Sequence, residues 1–163
     1  AIWNLLQAPG GGEILVPLIG EKAVPVPFFG RQQFRQEGKL VRAKIPVASD
    51  GYKFGVRAAN CSGLTFYLNL QAKRPFIVLR RFSVGAGNDY FDVPYSKLAQ
   101  EGCVQQVYVD DGTHGGFGEL EFHSPALIPG YRDTILDKSE VWAFSGRPAL
   151  LKELAETLLF KGF

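Results

Sequence analysis

A two-residue alternation of apolar and other side chains recurs along this chain and limits the folds it can adopt. Val41, Ala43 and Ile45 alternate with basic residues, and the same spacing recurs over 52–57 and 64–70. Because successive side chains of an extended chain point to opposite faces, each segment is predicted to be a strand with one buried face. Short strands separated by glycine-, proline- and aspartate-rich turns are typical of an antiparallel sandwich or barrel.

Further strands are predicted by the same pattern at 2–6, 14–18, 76–82, 104–109, 116–122 and 141–144. The segment from Pro25 to Gly38 shows neither strand nor helix periodicity. We therefore expect an irregular loop there, with Phe28, Phe29 and Phe34 tucked under it.

Helical spacing occurs once, near the end of the chain. The apolar residues with this spacing are Leu150, Leu151, Leu154, Leu158 and Leu159. They predict a helix over 148–160 that packs its leucines onto a sheet and stops at Gly162. The expected architecture is a mainly β single domain over 1–163, an antiparallel β-sandwich with one C-terminal α-helix.

Composition excludes several classes of protein. The net charge is only +2 and no nucleic-acid-binding motif occurs, so no nucleic acid is expected as partner. No apolar run approaches the roughly 20 residues that span a bilayer. Cys61 and Cys103 form no zinc or CxxC pattern, so they are either buried thiols or one disulfide, and the cellular location stays open. Basic residues on predicted strands are expected on a solvated outer face: Arg42, Lys44, Lys53, Arg57, Arg80 and Arg81.

The strongest candidate for chemistry lies in the segment 117–129. Its alternation places Glu119, Glu121 and His123 on one face of a strand, about 6.5–7 Å apart. Either carboxylate is a candidate general base, and His123 is the candidate partner acid. His114, in the preceding glycine-rich loop, is a second candidate acid. The alternative is a solvated sheet face without chemistry.

A sugar site combines an aromatic face for the C–H side of the ring with polar groups that bind its hydroxyls. Trp3 is a candidate platform, with Asn4 and Gln7 close to it in sequence. Trp142 is a second aromatic candidate, and Arg57 is expected to join the surrounding contacts. Both tryptophans also fit an ordinary core role.

A metal site is the rival interpretation of the same strand. Carboxylate and imidazole ligands at Glu119, Glu121 and His123 suit a cupin-like metal centre, to which Asp110 and Asp111 would add oxygens. A bound metal needs three or four ligands that converge, whereas E-x-E-x-H spreads its groups along a strand. We therefore expect neither a metal nor another cofactor.

Several segments resemble the C-terminal portion of galactose-mutarotase-like (aldose 1-epimerase-like) proteins, especially bacterial branches. They are the opening AIWNLLQAPGGGEILVPL, then YKFGVRA and FIVLRRFSV, and finally GELEFHSPALIPG with SEVWAFSG. The resemblance implies a large antiparallel supersandwich and a carbohydrate ligand. It also implies that Glu121, in L-E-F-H-S-P, matches the general base of the epimerases. The family's acid is a histidine on an earlier strand, and no histidine precedes His114 here.

These observations predict a carbohydrate-binding domain that, if it is an enzyme, is a sugar mutarotase- or epimerase-like isomerase. We expect carbohydrate binding to be easier to detect than catalytic turnover, because the acidic histidine of the family has no counterpart in this chain. Members of the family are generally longer, so the chain resembles either a C-terminal piece that lacks an N-terminal half or a pared-down version of the family. The remaining alternative is a structural domain whose cleft forms only with a partner segment or a second copy of the chain.

Overall fold

The structure is a computed structural model that describes residues 1–46, 50–85, 90–94, 102–131 and 133–161. In chain order the strands are β1 (Trp3–Pro9), β2 (Gly12–Pro17), β3 (Val26–Phe29), β4 (Phe34–Glu37), β5 (Leu40–Ile45), β6 (Tyr52–Arg57), β7 (Leu64–Asn69), β8 (Phe76–Phe82), β9 (Cys103–Val109), β10 (Phe117–His123) and β11 (Ser139–Ser145). A 3-10 turn spans Ala58–Asn60, and the helix α1 spans Pro148–Lys161. Every strand pairing is antiparallel.

The strands form two sheets that pack face to face. The five-stranded sheet has the order β1-β10-β9-β6-β3, and the six-stranded sheet has the order β11-β8-β7-β2-β5-β4. Fully buried apolar side chains fill the space between them, among them Tyr52, Phe54, Tyr67 and Phe122. The predicted mainly β antiparallel sandwich with one C-terminal helix is confirmed.

The six-stranded sheet is the middle layer of three. The part of its outer face formed by β7 and β8 is apolar and packs on α1, where Leu151 and Ala155 are buried against Phe66, Ile77 and Leu79. This arrangement corrects the prediction of a half-buried strand at 64–70. Both faces of the strand are buried because one meets the other sheet and one meets the helix.

The prediction of an irregular loop between Pro25 and Gly38 is wrong, because the segment contains β3 and β4. Each is a four-residue edge strand that pairs on one side only, which is too short to show a clear alternation. Gly38 adopts φ +59° in the two-residue turn between β4 and β5, a conformation that glycine adopts without strain. The prediction that Phe29 is buried under this segment is also wrong, since the residue is 52% exposed. Phe34 does pack inward, with its ring centroid 4.6 Å from that of Phe54.

Arg80 is the clear exception to the prediction that basic strand residues are solvated. Its side chain points into the sandwich, where Nη1 donates to the Leu120 carbonyl at 2.8 Å and the guanidinium lies 4.4 Å from the Phe122 ring centroid. The residue is 5% exposed because it lies on the face of β8 that meets the other sheet. Burial lowers its pKa, and the nearby Asp137 carboxylate opposes that shift.

The helix begins at Pro148 and so matches the prediction at its start. Proline suits the first helical position because its missing N–H would have no partner there. Leu150 is half exposed, so the apolar stripe is narrower than the sequence suggests. The predicted stop at Gly162 lies outside the described residues. No helix in the described part of the chain is long and apolar enough to cross a membrane.

Candidate functional site

The outer face of the five-stranded sheet carries the polar row that the sequence predicts. Leu120 and Phe122 of β10 pack into the core, so the alternate residues Glu119, Glu121 and His123 lie on the opposite face. The register places Glu121 opposite Leu5 of β1 on one side and opposite Gln106 of β9 on the other. Side chains from three adjacent strands therefore converge around Glu121.

Glu121 is the buried centre of this face. It is 1% exposed, and its Oε2 accepts hydrogen bonds from Trp3 Nε1 and Lys53 Nζ, both at 2.9 Å. Its Oε1 is equally buried but accepts no hydrogen bond from any described residue. Burial raises the pKa of this carboxyl, while the Lys53 ammonium and the Trp3 hydrogen bond act in the opposite direction. The carboxylate therefore has one satisfied oxygen and one that still needs a donor.

His123, Asp92 and Gln106 form a second polar group next to Glu121. His123 Nε2 lies 3.3 Å from Asp92 Oδ2 without forming a hydrogen bond, and Gln106 Nε2 donates to the same carboxylate. Gln106 Oε1 is buried and has no partner among the described residues. Burial lowers the pKa of His123, and the Asp92 carboxylate opposes this shift. The His123 ring also stacks on Trp3, with centroids 6.4 Å apart and planes 8° apart.

The partners of Glu121 border a shallow, open cleft of about 470 Å³, whereas Glu121 and Gln106 are themselves buried and are not among its walls. Its walls are Trp3, Lys53, Phe91, Asp92 and His123. Trp3 is 57% exposed and Phe91 is 68% exposed, so two aromatic side chains face solvent across a polar floor. The volume lies within the range of about 300–1,000 Å³ that is usual for small-molecule sites.

The structure brings together only part of the predicted set of site residues. Trp3, Glu121 and His123 meet, whereas Gln7 pairs with Glu119 at 3.1 Å, one step further along the sheet and outside the walls of the cleft. Arg57 ends β6 opposite Cys103 and is not a wall of the cleft either.

His114 and Trp142 lie away from the cleft. His114 is in the loop before β10, whereas His123 is at the far end of that strand. Trp142 of β11 packs against the cluster under α1, where it has the core role. Asn4 donates to Asp137 Oδ2 at 2.5 Å. None of the three is a wall of the cleft beside Glu121.

The sequence did not indicate four of the residues that build the site. Lys53 shares the alternation of β6 with Arg57, so a search for side chains on the Glu121 face would have included it. Gln106 could have been found only from the register of β9 against β10. Phe91 and Asp92 come from an irregular connection, which has no periodicity to place them.

Asp110, Asp111 and His114 form the only group of three or more potential metal ligands that converge within 4.8 Å among the described residues. The buried Asp110 carboxylate already accepts hydrogen bonds from the backbone N–H groups of Gly112, His114 and Gly116, at 2.9 to 3.2 Å. Burial alone would raise its pKa, but these bonds and the His114 side chain outweigh burial and lower it. Asp110 thus organises the loop.

The three residues of the rival metal hypothesis, Glu119, Glu121 and His123, do not converge in this way. Glu121 directs one oxygen to Lys53, and Glu119 pairs with Gln7 instead. Their spread follows from the strand itself, which places alternate residues in a line.

Comparison of the chain with protein-family models, curated proteins and solved structures finds no match. The resemblance to galactose-mutarotase-like proteins therefore stays a prediction.

Proposed function

We propose that this chain binds a carbohydrate in the cleft beside Trp3, with Glu121 as the main acceptor for its hydroxyl groups. The observation that carries the proposal is a pair of buried acceptors, Glu121 Oε1 and Gln106 Oε1, without donors among the described residues. The two residues are direct neighbours across β10 and β9. Buried polar atoms are nearly always hydrogen-bonded, so a ligand that brings donors would satisfy two neighbouring acceptors on one face.

The charge around these acceptors favours a neutral ligand rich in hydroxyls over a cation. Lys53 Nζ lies 2.9 Å from Glu121 Oε2 and would repel a metal ion or an ammonium group. The exposed Trp3 ring provides a flat apolar surface, and sugar rings present C–H groups on one face and hydroxyls at the edge. A sugar would use both kinds of contact at once.

We extend the proposal to acid–base chemistry on a sugar ring by the same groups. In ring opening, Glu121 would accept the proton of the anomeric hydroxyl while His123 gives a proton to the ring oxygen as the C–O bond breaks. Burial raises the pKa of Glu121, which suits a base, but it lowers the pKa of His123 and so removes the protonated acid near neutral pH. We therefore expect binding to be strong relative to turnover.

The test compares two matched substitutions on one strand. A panel of aldoses is titrated into the wild-type protein, the Glu121→Gln variant and the Glu119→Gln variant, by calorimetry or by tryptophan fluorescence. Glu121→Gln keeps the shape but loses the charged acceptor, which is worth about 1.5–3 kcal/mol, so binding should weaken about 10- to 100-fold. Glu119→Gln should leave the affinity within about twofold, because Glu119 pairs with Gln7 at the surface, whereas Glu121 is hydrogen-bonded to two walls of the cleft, Trp3 and Lys53.

Both variants should keep a melting temperature close to that of the wild type, since Lys53 can turn to solvent when its partner loses charge. The proposal is wrong if no aldose of the panel binds the wild-type protein. It is also wrong if both substitutions weaken binding equally.

A further inference from the structure

The backbone that carries Phe91 and Asp92 is fixed on both sides where it borders the cleft. Tyr90 is 3% exposed, and its hydroxyl accepts a hydrogen bond from the backbone N–H of Gly85 at 2.8 Å. The Asp92 carbonyl accepts one from the backbone N–H of Cys103, also at 2.8 Å. Phe91 and Asp92 therefore face the cleft from a backbone whose position is set by the buried Tyr90 and Cys103.

The carboxylate of Asp92 is also held in one orientation. The amide nitrogen Nε2 of the fully buried Gln106 donates to Asp92 Oδ2, and His123 Nε2 lies 3.3 Å from the same oxygen. The other oxygen, Oδ1, accepts no hydrogen bond from any described residue, and the side chain is 42% exposed. One oxygen is thus bound to the sheet and the other is open to a ligand, so binding would cost little orientational freedom.

Asp92 carries the charge that is left uncompensated among the described walls of the cleft. Lys53 Nζ lies 2.9 Å from Glu121 Oε2, so a buried carboxylate already matches its charge. Burial lowers the pKa of His123, so its ring is neutral near neutral pH and does not match Asp92. The side chain of Lys53 is only 17% exposed, so the charge that a ligand meets first is the negative one.

We propose that Asp92 determines the specificity of this site: its Oδ1 accepts hydrogen bonds from the hydroxyls of a neutral sugar, and its charge excludes sugar acids and sugar phosphates. The inference rests on the proposed carbohydrate site and adds the class of sugar that the site takes.

The chemistry of the carboxylate accounts for both effects. Its oxygens only accept hydrogen bonds, and bonds from hydroxyls to a charged acceptor are stronger than those to a neutral one. A ligand with its own carboxylate or phosphate would instead place two like charges close together in the cleft, which is strongly unfavourable at a binding interface. Lys53 offers such a ligand little compensation, because its ammonium group is already paired with Glu121.

The test uses three pairs of sugars that differ only at C6: D-glucose, D-galactose and D-mannose, each beside its own uronate. Calorimetric titration of the wild-type protein should show binding of at least one hexose, with its uronate bound at least about 10-fold more weakly. In Asp92→Asn the affinity for that hexose should fall about 10-fold, because the charged acceptor is lost. The affinity for its uronate should hold or rise, so that the two affinities come within about threefold of each other.

Asp50→Asn is the matched control, since it removes the same charge from an exposed residue that is not a wall of the cleft. It should keep both affinities and their ratio. Loss of fold alone would weaken both sugars together, so the ratio separates a specificity role of Asp92 from a structural one.

The outcomes separate this inference from the proposed function beneath it. If no hexose binds the wild-type protein, both are wrong. If a hexose binds and Glu121→Gln weakens it, but the wild-type protein binds the uronate equally well, the carbohydrate site stands and the role of Asp92 is wrong. That wild-type comparison decides the matter even when Asp92→Asn does not fold. An unchanged ratio in a folded Asp92→Asn variant also overturns the inference.

Discussion

At the scale of single residues, burial sets the proton affinity of the two candidate acid–base groups in opposite directions. His123 is disfavoured in its charged form by burial and by Lys53, so its pKa lies below its ordinary value of 6.5 in the folded state. The unfolded chain therefore binds a proton before the folded chain does. Folding stability should fall as the pH decreases through 6.5 toward the lower folded value.

We expect this loss to appear in urea unfolding experiments between about pH 8 and pH 5, and to be smaller in His123→Gln. Glu121 has the opposite sign, because a raised pKa makes its contribution decrease as the pH rises above 4.5. An unchanged slope in His123→Gln would contradict the assignment.

The alternation predicted which side chains share a face with Glu121, but not which of them are shielded from solvent. Glu119 and Glu121 have the same local pattern, yet one pairs with Gln7 at the surface and the other lies under Trp3 and Lys53. That difference depends on partners from β1 and β6, which are more than 60 residues away in sequence. Local sequence holds no information on such partners.

At the scale of elements, α1 should stabilise the fold through a few residues rather than through its whole leucine stripe. Leu151 is 4% exposed and packs on the middle sheet, whereas Leu154 is only half-buried. Leu151→Ala should lower the free energy of unfolding by about 2–4 kcal/mol, the usual cost of a cavity at a packed leucine. Leu154→Ala should cost less.

Lys152 is the matched control for this prediction, since it is the next residue and is exposed. Lys152→Ala should change the free energy of unfolding by less than about 0.5 kcal/mol, because its ion pair with Glu156 is at the surface and 3.9 Å long. Equal, small changes from Leu151→Ala and Lys152→Ala in denaturant titrations would show that the helix is not docked.

Elements were predictable where the pattern was long. Alternating or mostly apolar residues extend over at least six positions in the segments that form β5, β6, β8, β9 and β10. In α1 the leucines recur at helical spacing over almost three turns. The strands β3 and β4 were missed because four residues with proline or exposed charge give no period. Their existence depends on pairing with β6 and β5, which is a tertiary property.

At the scale of the whole molecule, three layers share one sheet between two cores. The inner core lies between the sheets and the outer core lies under α1. Both faces of the middle sheet are therefore buried, with Tyr67 in the inner core and Phe66 in the outer core. The sequence of a strand with one buried face and that of a strand with two buried faces look alike when one of the two buried faces carries threonine, tyrosine or asparagine. The number of layers therefore emerged only from the structure.

The two thiols report on whether this layered molecule opens as a unit. Cys61 and Cys103 are free and buried, and burial raises the pKa of each to about 12. A thiol must be both exposed and ionised to react, so neither should react with an aromatic disulfide reagent in the native state on the time scale of minutes.

Both should react fully in denaturant. With intermediate denaturant the two labelling rates should rise together, because Cys61 bonds Gln105 of β9 while Cys103 begins that strand, so one opening exposes both. Prompt native labelling of one thiol alone would show instead that the layer at β9 opens locally.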